Sequence, residues 1–319
     1  MNEVTEVSPG HTSELSVNNP ADVMRGVDTT SLKPAANCWL AQELLNILRL
    51  VRVDKPAASA IFTLVGVYLG GGMAAILSSA APRAALAVSF IVASSFALND
   101  VQDIVADRVN KPTRPIPSGQ ISKRFGIIIS SALAVAGIAV ALTLGMTLAI
   151  FSVLLTALSV CYSYRLKGTP LFGNGLIGLM IASILVYGAL AAGHVTLAVL
   201  EGCILTFLFT FSTEILFTIR DAEADRKAGM HTVAVKFGRE SAFRFFELVA
   251  MSVACSGVLL WLLGFASNAF ILAAMGCSFL PIILIVVFTR TGSQLAVQTA
   301  TFWMRRVSLL SFIPILLLR

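Results

Sequence analysis

Long apolar runs separated by short polar connections make up most of the chain. Stretches of roughly 16 to 24 mostly apolar residues, the length that crosses a hydrocarbon core, recur at 57–79, 84–99, 125–145, 147–162, 172–192, 196–219, 243–264, 267–288 and 302–318. They predict nine membrane-spanning helices. Two depart from the ideal: 84–99 is short, and 302–318 carries Arg305 and Arg306 near its start. Ahead of the first run, "CWLAQELLNILRLVRV" puts Trp39, Leu40, Leu44, Ile47, Leu48 and Val51 on one helical face with few charges between them, which predicts a helix lying in the membrane interface. Residues 1–36 are polar and are expected to form a disordered tail, leaving 37–319 as the membrane domain.

Composition agrees with that pattern. Of 319 residues 57% are hydrophobic and 13% charged, and the mean hydropathy is +0.86, whereas soluble domains carry about 25% charged residues. The expected fold class is all-α, a polytopic membrane protein. Charge then orients it. Placing the amino terminus in the cytoplasm puts every Lys and Arg except Arg83 and Arg319 on that side, as the positive-inside rule requires. The expected surroundings are membrane lipid, with no nucleic-acid partner. No charged leader with a short apolar core precedes the first span, and Glu3, Glu6 and Glu14 come before the first basic residue, Arg25, so neither a signal peptide nor a transit peptide is expected. Cys38, Cys161, Cys203, Cys255 and Cys277 are scattered without metal-ligand spacing and read as small buried hydrophobes. His11, His194 and His231 form no metal constellation, and Gly70, Gly71 and Gly72 read as close helix packing.

Chemistry concentrates at two helix exits. In "ALNDVQDIVADRVNKPTRPIPSG", Asp100, Asp103 and Asp107 are spaced i, i+3, i+7, which on a continuous helix shares one face, with Asn99 beside them. In "TIRDAEADRKAGMHTVAVKFG", Asp221 and Asp225 are spaced i, i+4 around Glu223. An ionised Asp inside the bilayer costs about 2.5–3.5 kcal/mol even on the lenient insertion scale, so such clusters need water, cations or metal. Hard Mg²⁺ suits them, because it takes a few carboxylates and fills its remaining positions with water and phosphate oxygens. Each cluster is trailed by bases, Arg108, Lys111 and Arg114 in one case and Arg226 and Lys227 in the other. Carboxylates for metal beside cations for phosphate describe a diphosphate site.

These residues also carry a family resemblance. "NDVQDIVAD" followed by "NKPTRPIPSG" resembles the first signature of the UbiA superfamily of intramembrane prenyltransferases, and "DAEAD" followed by "GMHTVAVKFG" resembles the second. "RVDKP" at Arg52–Pro56 and "YSYRLK" at Tyr162–Lys167 look like two further elements of that family. The resemblance implies nine transmembrane helices around a central cavity with both aspartate motifs at its cytoplasmic mouth. It implies Mg²⁺ held by Asn99, Asp100, Asp103 and Asp107 on one side and by Asp221 and Asp225 on the other. Lys111, Arg114 and Lys167 would hold the diphosphate of a prenyl donor, with Arg226 and Lys227 as further candidates.

The expected reaction is cleavage of an allylic diphosphate followed by capture of the carbocation in a dry, electron-rich pocket. Tyr162 and Tyr164 are candidates to face the cation, Glu214 is an acid inside the sixth span on the face of Asp221, and Arg52, Asp54 and Asn174 are candidates to orient an acceptor. The leading acceptor is a small lipophilic aromatic. Glycerol-phosphate ether lipid is an alternative acceptor, cyclisation of the donor is an alternative outcome, and a cation transporter is the reading outside this chemistry.

Overall fold

The structure is a computed structural model and describes residues 36–318; the predicted tail and His11 lie outside the described residues. The compact body begins at Leu45. Helix α1 covers Ala36–Val51, the amphipathic segment expected before the first span. A turn at Arg52, whose φ is +50°, leads into α2, Asp54–Ile76, which kinks at Gly72. Then follow α3 (Ala80–Gln102), the short α4 (Ile104–Asn110), α5 (Lys123–Leu142) and α6 (Met146–Cys161). A π-helical turn, Tyr162–Leu166, extends α6. Next are α7 (Phe172–Ala191), the long α8 (Leu197–Lys227), the single turn α9 (Val233–Phe237) and α10 (Arg239–Leu262). The chain ends with α11 (Asn268–Ala274), a second π turn (Met275–Phe279), α12 (Leu280–Thr289), α13 (Gln294–Leu310) and α14 (Phe312–Leu316).

Eight helices among the described residues are long and apolar enough to span a membrane, α11 to α12 counting as one. The predicted ninth is the exception. Its helix begins at Gln294, not at 302, and breaks at Ser311, and polar residues such as Gln298, Arg305 and Arg306 lower its hydropathy. Its buried side, Ala296, Val297, Ala300, Thr301, Met304 and Val307, follows helical spacing, so it packs as an amphipathic helix along the bundle.

Small residues set the central helix contacts, as lipid-embedded bundles require. A Cβ on Gly188 would stand 2.1 Å from the Thr63 carbonyl oxygen, and one on Gly66 would stand 2.3 Å from that of Leu185, so α2 and α7 meet backbone to backbone. The predicted packing role of the glycine run holds for Gly70, which faces Ala189 and His194, whereas Gly72 supplies the kink with φ +69°. α7 packs on α8, α8 on α10 and α13, and α14 returns to α2, where Phe312 stacks on Phe62 at 4.9 Å. The cysteine expectation needs correction: Cys161 and Cys255 are exposed, on helices whose outer sides are apolar.

Candidate active site

The first acidic stretch is not one continuous helix. α3 ends at Gln102, Asp103 adopts φ −84° and ψ 6°, and α4 starts afresh at Ile104. The break sorts the aspartates into two groups. Asp100 and Asp107 are buried and converge on one guanidinium: Arg114 is 3.1 Å from Asp100 and also pairs with Asp107. Asp100 holds a second guanidinium, Arg52, at 2.5 Å, and Arg52 also stacks on Phe96 at 5.0 Å. Asp103 turns away from both. It pairs with Lys167, whose Nζ donates to Asn99 Oδ1 at 3.2 Å, while Asn99 Nδ2 donates to Asp103 at 3.1 Å.

Lys167 reaches that position because of the π turn. Its backbone N–H bonds the Tyr162 carbonyl at 3.0 Å, and the wider turn re-aims the residue that follows. The second acidic stretch approaches the same lysine from α8. The His231 N–H donates to the Gly168 carbonyl at 3.0 Å, which ties the loop after α8 to the loop after the π turn. Lys167 thus pairs with Asp103 and lies in the electrostatic neighbourhood of both Asp225 and Glu214. Tyr162 has Glu214, Asp103 and Asp225 as its charged neighbours. The two motifs therefore face each other at one end of the bundle.

The second group has its own partners. Asp221 is gripped by Arg220 through Nε at 2.7 Å and a terminal nitrogen at 2.5 Å. Asp225 is buried and accepts from the Thr232 hydroxyl at 3.0 Å. Lys111, half exposed, stands 3.9 Å from Asp107. Its ammonium is pushed below the usual lysine range, chiefly by burial and then by Arg114; Asp107 opposes this, Arg52 adds to it, and Asp221 opposes it more weakly. One lysine thus senses an acid from each motif. Among the described residues no three acidic, His or Cys side chains meet at one point; cations hold the carboxylates apart.

Several sequence candidates stand elsewhere. Arg226 and Lys227 are exposed, and Lys227 pairs with Glu223 at 3.0 Å out in solvent, so neither backs the second cluster. Asp54 is exposed and pairs with Lys55, not with Arg52. Tyr164 is 60% exposed, as an interfacial anchor would be. Asn174 is buried in the first turn of α7. Three contributors were missed in the sequence: Arg220, directly before Asp221, Thr232 in the second motif's loop, and Arg305, which stacks over Phe217 at 5.1 Å beside Arg220. A pair of arginines, Arg305 and Arg306, inside a predicted span was the available signal for Arg305.

A profile of the UbiA prenyltransferase family matches residues 59–309. The chain belongs to this family. A digeranylgeranylglyceryl phosphate synthase of Haloquadratum walsbyi is 30% identical over 216 residues, 67% of this chain and 75% of the relative. A solved structure described as digeranylgeranylglyceryl phosphate synthase superposes with TM-score 0.70 at 22% identity, covering 86% of this chain and 97% of that one. A UbiA homolog from Archaeoglobus fulgidus bound to GPP and Mg²⁺ superposes with TM-score 0.63 at 20% identity, covering 85% and 99%. The protein is thus a multi-pass membrane prenyltransferase, and the two acidic motifs that prompted the resemblance both fall inside the matched region.

Proposed function

We propose that this prenyltransferase moves a prenyl group from an allylic diphosphate to the free hydroxyl of a glycerol-phosphate ether lipid, with Mg²⁺ at the mouth formed by the two motifs. The observation that carries the site is the approach of both acidic motifs to Lys167. The acceptor reading rests on the relative's name, digeranylgeranylglyceryl phosphate synthase; the aromatic acceptor expected from the sequence finds no support among the relatives.

The donor set fits the metal. Asn99, Asp103, Asp221 and Asp225 each offer side-chain oxygen, which suits a hard cation that also keeps water and phosphate oxygens. Magnesium there would neutralise charge on the departing diphosphate. Asp107, paired with Arg114, would be freed for the metal once Arg114 turns to the diphosphate. Asp100, 1% exposed and holding two guanidiniums, acts instead as the anchor of Arg52 and Arg114.

The cations paired with the carboxylates now have a second use. Lys111, Arg114 and Lys167 exchange their carboxylate partners for the donor's diphosphate oxygens, and charge developing on the leaving group meets fixed positive groups in a site poor in water. The allylic C–O bond breaks and its electron pair leaves with diphosphate. The acceptor hydroxyl oxygen bonds to the allylic carbon and loses its proton to Glu214, which sits on α8 one face with Asp221 and beside Tyr162. The basic end of the bundle faces the cytoplasm in this reading, with residues 37–319 as the membrane domain.

Membranes holding the protein, given prenyl diphosphates of several lengths, a monoalkylated glycerol phosphate, an aromatic hydroxy acid and Mg²⁺, should form the dialkyl glycerol phosphate, detected by mass spectrometry. EDTA should stop it. Alkylation of the aromatic acid alone, or a cyclic terpene formed without acceptor, would overturn this reading.

A further inference from the structure

One cation at the mouth has no part in the roles above. Arg305 lies about three turns into α13, whose start is tied to α8 by Gln294, which donates to the Arg220 carbonyl at 3.3 Å. Long side chains lean toward the start of their own helix, here the basic end of the bundle. The Arg305 guanidinium accordingly reaches Phe217, 5.1 Å from the ring centre, and Arg220 stacks on the same ring at 4.7 Å. Its charged neighbours are Arg220, Asp221, Glu214 and Arg52. Asp221 is taken by Arg220, and Arg52 is held by Asp100. Among the described residues Arg305 itself makes no ion pair with a carboxylate. Two guanidiniums on one ring, one of them exposed and without a carboxylate partner among the described residues, make a setting that an anion completes.

We propose that Arg305, with Arg220 beside it, binds the phosphate of the acceptor lipid. This rests on the glycerol-phosphate reading. In such an acceptor the reacting hydroxyl and the phosphate share one three-carbon unit, so bringing the hydroxyl to the donor's allylic carbon also brings the phosphate to the mouth. There it meets a diphosphate of like charge and needs cations of its own. Lys111, Arg114 and Lys167 gather around the first motif, whereas Arg305 and Arg220 flank Glu214 and Asp221 on the second. Glu214 and Asp221 oppose an anion here; magnesium at Asp221 would relieve one of them, and proton uptake from the hydroxyl would relieve the other. The acceptor is thereby held with its hydroxyl beside Glu214.

The test is Arg305→Gln in the purified enzyme, with kinetics for donor and acceptor measured separately. KM for the monoalkylated glycerol phosphate should rise at least about tenfold, a loss typical of a charged recognition contact. Preference for that acceptor over the corresponding phosphate-free diol should fall by a similar factor, with donor KM and the magnesium requirement little changed. Arg305→Lys should recover part of the loss. Calorimetry with glycerol 3-phosphate and magnesium-loaded protein gives an independent reading: binding should be weakened most in Arg305→Gln, less in Arg305→Lys, and kept in Lys167→Gln. A rise in donor KM, or equal losses on both acceptors, would assign Arg305 to the donor or to structure and overturn the proposal. If Arg305→Gln fails to fold, Arg305→Lys with unaltered acceptor KM and unaltered glycerol 3-phosphate binding overturns it equally. Failure of the wild type to alkylate any glycerol phosphate would instead sink the parent reading.

Discussion

Asp100→Asn separates anchoring from metal binding. The substitution keeps the shape of the side chain and removes the charge that holds Arg52 at 2.5 Å and Arg114 at 3.1 Å. Removing one partner of a buried ion pair costs about 3–5 kcal/mol, because the other charge is left uncompensated. Two features reduce that figure here. The arginine side chains retain 24% and 18% exposure, so water screens them in part, and Arg114 keeps Asp107. The expected loss is about 2–3 kcal/mol. At about 2–4 °C per kcal/mol for a body of this size, Tm should drop by roughly 4–12 °C in a detergent melt followed by circular dichroism. Arg52 adds a local effect: its φ of +50° is a conformation of order 1–3 kcal/mol above the ordinary one, and without Asp100 the turn between α1 and α2 has less to hold it there. Turnover should fall as well, since Arg114 is no longer aimed, but the Mg²⁺ concentration for half-maximal activity should stay within about twofold. Asp103→Asn should show the opposite split, a smaller drop in Tm and a magnesium requirement raised about tenfold or more, equivalent to about 1.4 kcal/mol. An Asp100→Asn protein that melts like wild type yet needs tenfold more magnesium would refute the anchoring argument.

Thr232→Val removes the hydroxyl that donates to buried Asp225 at 3.0 Å; it should cost about 1–3 kcal/mol in a thermal melt and raise the magnesium requirement, because Asp225 loses the contact that orients it. Glu214→Gln should cut turnover by about 10²–10⁴ with donor KM little changed, the loss expected of a proton acceptor; pre-steady-state product formation checks it, and an unaltered rate would remove Glu214 from the reaction. Gly188→Ala would put a methyl group 2.1 Å from the Thr63 carbonyl oxygen and should destabilise by about 1–3 kcal/mol or more, while Gly276→Ala, with open space at its Cβ, should melt like wild type.

The spans were readable in advance because lipid imposes a length and a composition that few other structures share. α13 escaped that reading. It buries one helical face against the bundle and leaves Gln298 and Arg306 on the other, while Arg305 reaches Phe217 of α8, so an apolar run locates only its second half. The acidic motifs were readable for the same reason that the spans were: carboxylates are too costly near lipid to stand there by accident. Their partners were less so. Cations were sought just after the aspartates, yet Arg226 and Lys227 fall about 100° and 200° around the helix from Asp225 and point to solvent. The arginine that grips Asp221 comes before it in the chain, and the lysine that pairs with Asp103 comes from a π turn 64 positions along. A break at Asp103, invisible to a spacing rule that assumes an unbroken helix, is what separates the Arg114 pair of aspartates from the Lys167 one.

That separation bears on why acids and bases alternate so closely at this end of the bundle. Without ligand, Asp100, Asp103, Asp107 and Asp221 each have a cation as partner, and Asp225 has a hydroxyl. Mutual pairing is what lets so many charges fold beside a membrane at all, because an unpaired one would carry most of its desolvation cost. The same pairing readies the reaction. In the proposed reaction a metal diphosphate would bring positive charge for the carboxylates and negative charge for Lys111, Arg114 and Lys167, so binding would exchange partners on both sides and leave no buried charge alone. Arg305, which has no carboxylate ion pair among the described residues, would then be left for a second anion. A site for one diphosphate has no need of it; a site that joins a prenyl diphosphate to a phosphorylated acceptor does.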